Sequence, residues 1–167
     1  LGDICKKVVE ESADFGIVVD PDVDRLAIID EKGEMFGEEY TLVAVADYVL
    51  SKTPSATVSN LSYSRALRDV TEKAGAEYNA SAVGEVNVVN KMKATNAIIG
   101  GEGNGGIIYP ESHYGRDALV GIALFLTHLA KSKKLCSILR NSYPDYFIAK
   151  KKIELTPDIN IDGLMQK

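Results

Sequence analysis

The chain has 167 residues, of which 46% are hydrophobic and 26% are charged, as is ordinary for a soluble globular protein of one or two domains. Its net charge of −5 argues against a nucleic-acid-binding surface, and no apolar run approaches the length of about 18 residues that a membrane-spanning helix needs. We therefore expect no nucleic-acid partner, no membrane partner and a cytoplasmic location.

The first 52 residues predict the later part of an α/β unit. A helix over 4–9 is followed by strands over 15–19 and 26–29, and then by a helix over 38–50. A parallel α/β unit normally has a strand before its first helix, so we expect this unit to be incomplete. The polar segment 51–55, which contains a proline, is the best candidate linker.

Residues 55–155 predict a second α/β unit. Strands alternate with helices in its first part, with strands over 56–61, 77–82 and 96–100 and helices over 64–74 and 84–93. Two further helices and a strand are expected over 117–130, 134–141 and 146–155. Residues 156–167 are expected to be a linker or the start of a further domain. We thus predict an α/β fold of two consecutive α/β/α units with mainly parallel sheets, of which the first unit is incomplete.

Three aspartates stand at alternate positions of the turn between the first two strands: Asp20, Asp22 and Asp24. At an effective dielectric constant near 20, two such charges ~4 Å apart repel each other by about 4 kcal/mol. A hard cation with oxygen ligands removes that cost, and Mg²⁺ is the common one. Arg25 adds a planar fork that suits a phosphate or orients one of the aspartates. The turn therefore predicts a magnesium site.

The same turn leaves two alternatives open. Its aspartates and Glu31 have the spacing of an EF-hand calcium loop, but Arg25 stands where that loop needs glycine, and strands flank it where an EF-hand has helices. A solvated acidic turn without a ligand is the other alternative, although such turns rarely place three aspartates at alternate positions between buried strands. We favour the loop of a metal-dependent enzyme.

A glycine-rich stretch, residues 100–106, follows the last strand of the second alternation. Ligands of open α/β sheets bind at this edge, where parallel strands end. Its glycines match the dinucleotide-binding fingerprint, but the next residues continue extended and do not open the helix that this motif requires. We favour a loop that presents Glu102 and Asn104 to adjacent sugar hydroxyls. A glycine-rich turn without a ligand is the remaining alternative.

The two stretches resemble motifs of the α-D-phosphohexomutases, the phosphoglucomutase and phosphomannomutase superfamily. The motif D-P-D-V-D-R at 20–25, here named the metal loop, resembles the family's metal-binding loop. The stretch at 100–106, here named the sugar loop, contains G-E-G-N-G-G and is similar to the family's sugar-recognition loop. Segments at 57–61 and 83–85 are similar as well, so the likeness covers nearly the whole chain.

The resemblance implies an enzyme that interconverts hexose 1-phosphate and hexose 6-phosphate. The reaction would run through a phosphoserine enzyme and a bisphosphorylated sugar. Residues 1–52 would be the C-terminal part of the family's domain 2 and residues 55–155 its domain 3. A phosphorylated hexose is the expected substrate.

The resemblance also implies a role for each candidate residue. Asp20, Asp22 and Asp24 would hold Mg²⁺, which neutralises phosphoryl charge during transfer. Arg25 would be a catalytic residue that steadies the phosphate or the loop. Glu102 and Asn104 would bind the hydroxyls of the sugar in either orientation.

The chain also departs from the family pattern. No serine matches the phosphoserine loop, since Ser62 and Ser64 precede a helix that they are expected to cap, and the phosphate-binding loop of domain 4 has no match either. We therefore expect a fragment that is inactive alone and that contacts domains 1 and 4. A non-catalytic sugar- or metal-binding module of the same fold is the alternative function.

A second departure lies in the sugar loop. Asn104 and Gly106 stand where some phosphomannomutases have serine and histidine. His113 is a candidate to enter the cleft and bind substrate in place of that histidine, although a surface position is the favoured interpretation. Arg116 and Asp117 are expected to begin the long helix, with Asp117 favourable near its N-terminus.

Overall fold

The computed structural model describes residues 1–149. Within them the helices are α1 (Gly2–Glu10), α2 (Glu38–Leu50), α3 (Ala66–Lys73), α4 (Glu85–Thr95), α5 (Ala118–Ser132) and α6 (Cys136–Arg140). The strands are β1 (Phe15–Val19), β2 (Leu26–Asp30), β3 (Thr57–Asn60), β4 (Tyr78–Ser81), β5 (Ile99–Glu102) and β6 (Gly106–Ile108). Every predicted helix is confirmed, as is every predicted strand up to β5, with ends that differ by a few residues.

The predicted last strand, 146–155, falls mostly outside the described residues. Its described part, 146–149, has no regular secondary structure, so the strand is wrong there. The remainder of that strand and the predicted linker at 156–167 lie outside the described residues.

β1 and β2 form a two-stranded antiparallel sheet in which Val19 pairs with Leu26. We expected mainly parallel strands, and for this sheet the expectation is wrong. A parallel pair needs a crossover of about a dozen residues or more, whereas only residues 20–25 join these strands. The antiparallel pairing therefore holds the two ends of the metal loop side by side.

The second sheet has the strand order β4-β3-β5-β6. β3 is parallel to both β4 and β5, and β6 returns antiparallel to β5. The α/β fold class is therefore confirmed, with one mainly parallel sheet as predicted. Because parallel strands end at a common edge, Asn60 at the end of β3 and Glu102 at the end of β5 are neighbours.

The sugar loop, which joins β5 to β6, lies directly against the first sheet. Gly105 has a φ of +80°, and a Cβ atom at this position would collide with the carbonyl oxygen of Leu26 at the start of β2. Glycine permits both the positive φ and the close approach. This contact brings the sugar loop next to the metal loop.

A hydrophobic core joins the two sheets. It contains Leu26 and Ile28 of β2 together with Ile99 of β5 and Ile107 of β6. α2 lies within this core, and residues 42–46 are fully buried, as expected for a helix that is hydrophobic on all sides. The domain division that we placed at residues 52–55 stays a prediction.

α5 begins where the sequence predicts. Asp117 is its N-cap, and the Asp117 Oδ1 atom accepts a hydrogen bond from Val120 N at 3.0 Å. Ala118 N donates to the carbonyl oxygen of Val23 at 3.1 Å, which fastens the start of the helix to the metal loop. Neither α5 nor any other helix within residues 1–149 has both the length and the apolarity that crossing a bilayer requires.

Candidate functional site

The metal loop folds so that two of its three carboxylates meet. Asp20 Oδ1 accepts hydrogen bonds from the backbone nitrogens of Asp24 and Arg25, at 3.1 and 3.2 Å. The Nε atom of Arg25 lies 3.2 Å from Asp20 Oδ2 and 3.6 Å from Asp24 Oδ1. Arg25 thus contacts both carboxylates, and its contact with a phosphate stays a prediction.

The two paired carboxyl groups differ in acidity. Desolvation raises the pKa of Asp24 above its ordinary value; Arg116 opposes this shift, and the neighbouring Asp20 carboxylate adds to it. Desolvation also acts to raise the pKa of Asp20, but hydrogen bonds from the backbone nitrogens of Arg25 and Asp24 outweigh it, so that the pKa of Asp20 lies below its ordinary value. A cation held between the two would favour the charged form of both.

Asp22 stands apart from the other two aspartates. Its side chain is exposed and has no hydrogen bond or ion pair within residues 1–149. Accordingly, no three His, Cys, Asp or Glu side chains of the described residues are grouped closely enough to hold a metal ion. The structure therefore brings Asp20 and Asp24 together and leaves Asp22 outside.

The donor atoms of the loop nevertheless fit Mg²⁺. Carboxylate oxygens are the ligands that this hard cation prefers. Asp24 Oδ1 is buried and has no hydrogen-bond partner within the described chain, and the Nε atom of Arg25 lies 3.6 Å from it. A buried carboxylate oxygen without a donor is costly, and a bound cation would remove that cost.

Val23, at the centre of the metal loop, has a strained backbone. Its φ is +56°, which a β-branched residue rarely adopts. Its carbonyl oxygen accepts a hydrogen bond from Ala118 N, so the packing of α5 holds the strained conformation in place. Strain that surrounding structure enforces is a feature of functional loops.

Glu102, at the end of β5, is buried and held in place, with only 7% of its surface exposed. Its Oε1 atom accepts hydrogen bonds from Asn60 Nδ2 and from Gly84 N, both at 3.1 Å. These donors come from the end of β3 and from the start of α4. The carboxylate therefore has a defined orientation at the edge where ligands of α/β sheets bind.

Asn104 is part of the sugar loop and also lines a cavity next to the metal loop. Its Oδ1 atom accepts a hydrogen bond from Gly106 N at 3.1 Å, which shapes the loop. A cavity of about 250 Å³ is lined by Asn104 together with Asp20 and Arg25. The two loops thus share one concave surface.

A larger cavity of about 590 Å³ lies elsewhere, between α2 and the segment after β6. Three tyrosines line it: Tyr48, Tyr109 and Tyr114. None of the predicted site residues contributes to it. The larger of the two cavities therefore does not contain the residues to which the sequence assigns a chemical role.

Arg116 connects the two loops. Its guanidinium nitrogens lie 2.5 Å from Asp24 Oδ2, 3.0 Å from Glu85 Oε2 and 3.3 Å from Glu102 Oε2. Asp24 belongs to the metal loop, Glu102 to the sugar loop and Glu85 to the first turn of α4. One largely buried side chain therefore joins a carboxylate of each loop.

His113 lies outside this cluster. Its ring is half exposed, and the Nε2 atom is 3.0 Å from Asp117 Oδ2, at the N-cap of α5. The surface position that the sequence favoured is where the structure places it. A role in substrate binding stays a prediction.

Arg116, Glu85 and Asn60 are the site residues that sequence reasoning missed. Asn60 ends a parallel strand, a position that favours ligand contact, so its location was a usable signal. Glu85 lies in the segment 83–85 that resembles the family, but the contacts that Arg116 and Glu85 make were not predictable, because their partners are distant in sequence.

Comparison with known proteins identifies similar sequences. The family model for phosphoglucomutase/phosphomannomutase, alpha/beta/alpha domain III, matches residues 37–146. A phosphoglucomutase/phosphomannomutase from Thermococcus kodakarensis is 35% identical over 147 residues, which cover 87% of this chain and 32% of that protein. A phosphoglucosamine mutase from Campylobacter jejuni is 33% identical over 159 residues, which cover 92% of this chain and 36% of that protein. The chain thus spans about a third of the length of these curated relatives.

Solved structures show the same fold. A phosphoglucomutase/phosphomannomutase family protein from Burkholderia thailandensis matches 86% of this chain and 31% of its own, with a TM-score of 0.77 and 27% identity. An N-acetylphosphoglucosamine mutase from Aspergillus fumigatus, in complex with GlcNAc-6P and magnesium, matches 77% of this chain and 33% of its own, with a TM-score of 0.59 and 15% identity. The second likeness concerns the fold alone.

Proposed function

We propose that this chain, which belongs to the phosphoglucomutase/phosphomannomutase family, supplies the metal-binding and sugar-binding loops of a phosphohexomutase active site. The reaction is the interconversion of hexose 1-phosphate and hexose 6-phosphate through a phosphoserine and a bisphosphorylated sugar. Relatives carry the names of glucose, mannose and glucosamine phosphate mutases, so the substrate class is a phosphorylated hexose. The cytoplasm is the location that we expect for such an enzyme.

The observation that carries the proposal is the joining of the two loops through Arg116. Asp24 Oδ2 and Glu102 Oε2 contact the same guanidinium group, at 2.5 and 3.3 Å. Groups for phosphoryl charge and for sugar hydroxyls are therefore within reach of one small molecule. A phosphorylated sugar is the ligand that needs both.

Asp20, Asp22 and Asp24 are the residues that would hold Mg²⁺. When bound, the ion neutralises the negative charge of the phosphoryl group during transfer. Asp24 offers the unpaired Oδ1 atom, and Asp20 offers a carboxylate with a lowered pKa. Asp22, which is exposed and unpaired within the described residues, is available to complete the set.

Glu102 and Asn104 would position the sugar. The carboxylate of Glu102 is oriented by Asn60, Gly84 and Arg116 before any ligand binds, which reduces the ordering that binding requires. Arg25 lies at the cavity that Asn104 lines, where a guanidinium group suits a phosphate oxygen. A pair of hydrogen-bonding groups suffices for a sugar that binds in either orientation.

The test uses the complete native polypeptide. It is incubated with Mg²⁺, a trace of hexose 1,6-bisphosphate and, in separate assays, glucose 1-phosphate, mannose 1-phosphate or glucosamine 1-phosphate. We expect at least one of them to be converted into the corresponding 6-phosphate. A parallel assay with EDTA in place of Mg²⁺ is the control.

A non-catalytic sugar- or metal-binding module is distinguished by the same samples. Calorimetric binding of Mg²⁺ and of a hexose phosphate without any conversion would favour the module. The enzyme also requires a phosphoserine loop and a domain 4 phosphate loop in the complete polypeptide. Their absence from the native gene product would refute the enzymatic proposal.

A further inference from the structure

We propose that Arg116 is a positioning residue that joins the metal loop to the sugar loop and leaves one oxygen of Asp24 available to the metal. The proposal rests on the proposed function, because it assigns Mg²⁺ to the first loop and a hexose phosphate to the second. It adds a dependence between the two: one side chain determines the affinity of both ligands.

The geometry of the guanidinium group carries the argument. Each of its three nitrogens faces a different carboxylate, with Nη2 on Asp24, Nε on Glu85 and Nη1 on Glu102. The side chain is only 16% exposed, so solvent screens these ion pairs weakly. A planar fork with fixed donor directions meets three carboxylates at once, which the single ammonium group of lysine does not.

The carboxylates of Asp24 and Glu102 both contact Arg116 and still have acceptor sites for a ligand. Asp24 uses Oδ2 for Arg116 and leaves Oδ1 without a hydrogen-bond partner within residues 1–149. Glu102 uses Oε1 for Asn60 and Gly84, whereas within the described residues its Oε2 atom contacts only Arg116. A carboxylate offers about four lone-pair sites, so Glu102 retains room for a sugar hydroxyl.

Arg116 is itself held firmly. Its backbone nitrogen donates to Glu85 Oε1 at 3.3 Å, and its backbone forms a bridge with Ile108. A Cβ atom at Gly106 would collide with the Cδ and Cγ atoms of Arg116, so the sugar loop packs tightly against this side chain. A side chain fixed by its surroundings is suited to orient others.

A competing interpretation makes Arg116 a resident cation that Mg²⁺ must displace from Asp24. The two interpretations predict opposite signs. If Arg116 competes, its replacement by a neutral residue strengthens Mg²⁺ binding, because a repelling charge is removed. If Arg116 orients Asp24, replacement weakens binding, as is usual for groups that support a metal ligand.

The experiment is a calorimetric titration of Mg²⁺ into the complete protein and its variants. We expect Arg116→Gln to weaken Mg²⁺ binding by at least about tenfold, the lower end of the loss found for supporting groups of metal sites. Arg116→Lys, which keeps the charge without the fork, should also bind Mg²⁺ more weakly than the wild type does. Arg68→Gln removes the same charge from α3, where the side chain lies over the ring of Tyr78, and should match the wild type.

A second titration measures the binding of the sugar phosphate without any contribution from the metal. Glucose 1-phosphate and mannose 1-phosphate are titrated in EDTA, so that no metal contributes to binding. We expect Arg116→Gln to weaken the binding of whichever sugar the wild type takes, because Glu102 loses its partner on Oε2. A merely structural role would lower the melting temperature of the variant without changing either affinity.

Each outcome of these titrations either supports or overturns the proposed role of Arg116. Unchanged or tighter Mg²⁺ binding by Arg116→Gln overturns the proposal, as does an unchanged affinity for the sugar. If that variant does not fold, Glu85→Gln decides, since it removes the anchor of Nε and should weaken both ligands; unchanged affinities overturn the proposal. If the wild type binds neither Mg²⁺ nor a hexose phosphate, the proposed function fails and the role of Arg116 fails with it.

Discussion

The metal loop and the sugar loop are built in opposite ways. In the metal loop, Asp22 is exposed and unpaired within the described chain, and Val23 has a positive φ. The sugar loop starts as a buried strand end, and Glu102 has donors on both of its carboxylate oxygens. The first loop holds one carboxylate, that of Asp22, that lacks a partner within residues 1–149, whereas the second holds a carboxylate that the fold has already paired.

Because of this difference, substitutions of Asp22 and of Glu102 should affect ligand binding and protein stability differently. A substitution of Asp22 should change ligand binding and leave the free energy of unfolding almost unaltered, because the described fold does not use its side chain. A substitution of Glu102 should change both, since the same carboxylate supports β3, α4 and Arg116. Variants of Glu102 and Asp22 test that contrast.

The largest effect is expected for Glu102→Gln in the complete protein. We expect kcat/KM to fall at least about tenfold, which corresponds to a lost transition-state contact of ~1.4 kcal/mol. The free energy of unfolding should fall by about 1–3 kcal/mol, because Arg116 loses the charge of a partner and the new amide group faces other donors. Steady-state kinetics and urea denaturation measure the two quantities.

The control for that variant is Glu72→Gln, which makes the same change at an exposed position of α3. It should match the wild type in both measurements. Unchanged turnover in Glu102→Gln would refute the role of this carboxylate in binding the sugar.

In the metal loop, Asp22→Ala should weaken ligand binding without changing the stability of the protein. We expect Mg²⁺ affinity to fall by at least about tenfold, a loss typical even of groups that only support a metal ligand. The free energy of unfolding should change by no more than about 0.5 kcal/mol, as for an exposed residue without partners. Calorimetric titration of Mg²⁺ and urea denaturation check the pair of values.

Glu77→Ala, at another exposed acidic position, is the matched control and should bind Mg²⁺ as the wild type does. Equal Mg²⁺ affinity of Asp22→Ala and the wild type would count decisively against the metal loop.

A smaller effect is expected at the start of α5, which holds both loops. Asp117→Ala removes the N-cap, which typically costs about 1 kcal/mol. For a protein of this size the melting temperature should fall by about 2–4 °C. Asp117→Asn retains a cap acceptor and should lose less; an equal loss in both variants would contradict the capping role.

The effect of Asp117 should also depend on pH. Desolvation acts to raise its pKa, but hydrogen bonds from Val120 N and His113 outweigh it and leave the pKa below the ordinary value. A carboxyl group with a lowered folded-state pKa stabilises the protein above its unfolded-state pKa and loses that contribution as the pH falls through the folded-state pKa. The difference between wild type and Asp117→Ala should therefore shrink below about pH 3.9, as thermal melts at several pH values would show.

The smallest effect concerns the strain of the metal loop. Val23→Gly should relieve a backbone cost of about 1–2 kcal/mol, which the extra freedom of glycine in the unfolded chain offsets by about 0.5–1 kcal/mol. We expect a net gain in stability of about 0.5–1 kcal/mol by urea denaturation. Val83→Gly, at an exposed valine without a positive φ, should instead destabilise the protein. A loss of stability in Val23→Gly would show that the loop is not strained.

Hydrophobic periodicity in the sequence determined the helices, the strands up to β5 and the α/β class. Such periodicity depends on which face of an element is buried, and that information is local. The alternating aspartates and the glycine-rich segment marked both loops for the same reason. Their chemistry is a property of neighbouring residues: three charges in one turn predict a cation, and small residues next to Glu102 predict a loop that presents it.

Only the tertiary structure decided how these parts meet. It made the first sheet antiparallel, left Asp22 apart from Asp20 and Asp24, and placed Arg116 between the loops. The local sequence pattern does not show which charged side chains meet, because their partners lie on segments that are distant in sequence. The packing of α5 and the close approach of Gly105 bring these segments together. The sequence therefore identified the metal and sugar loops, and the fold determined which charges face each other across them.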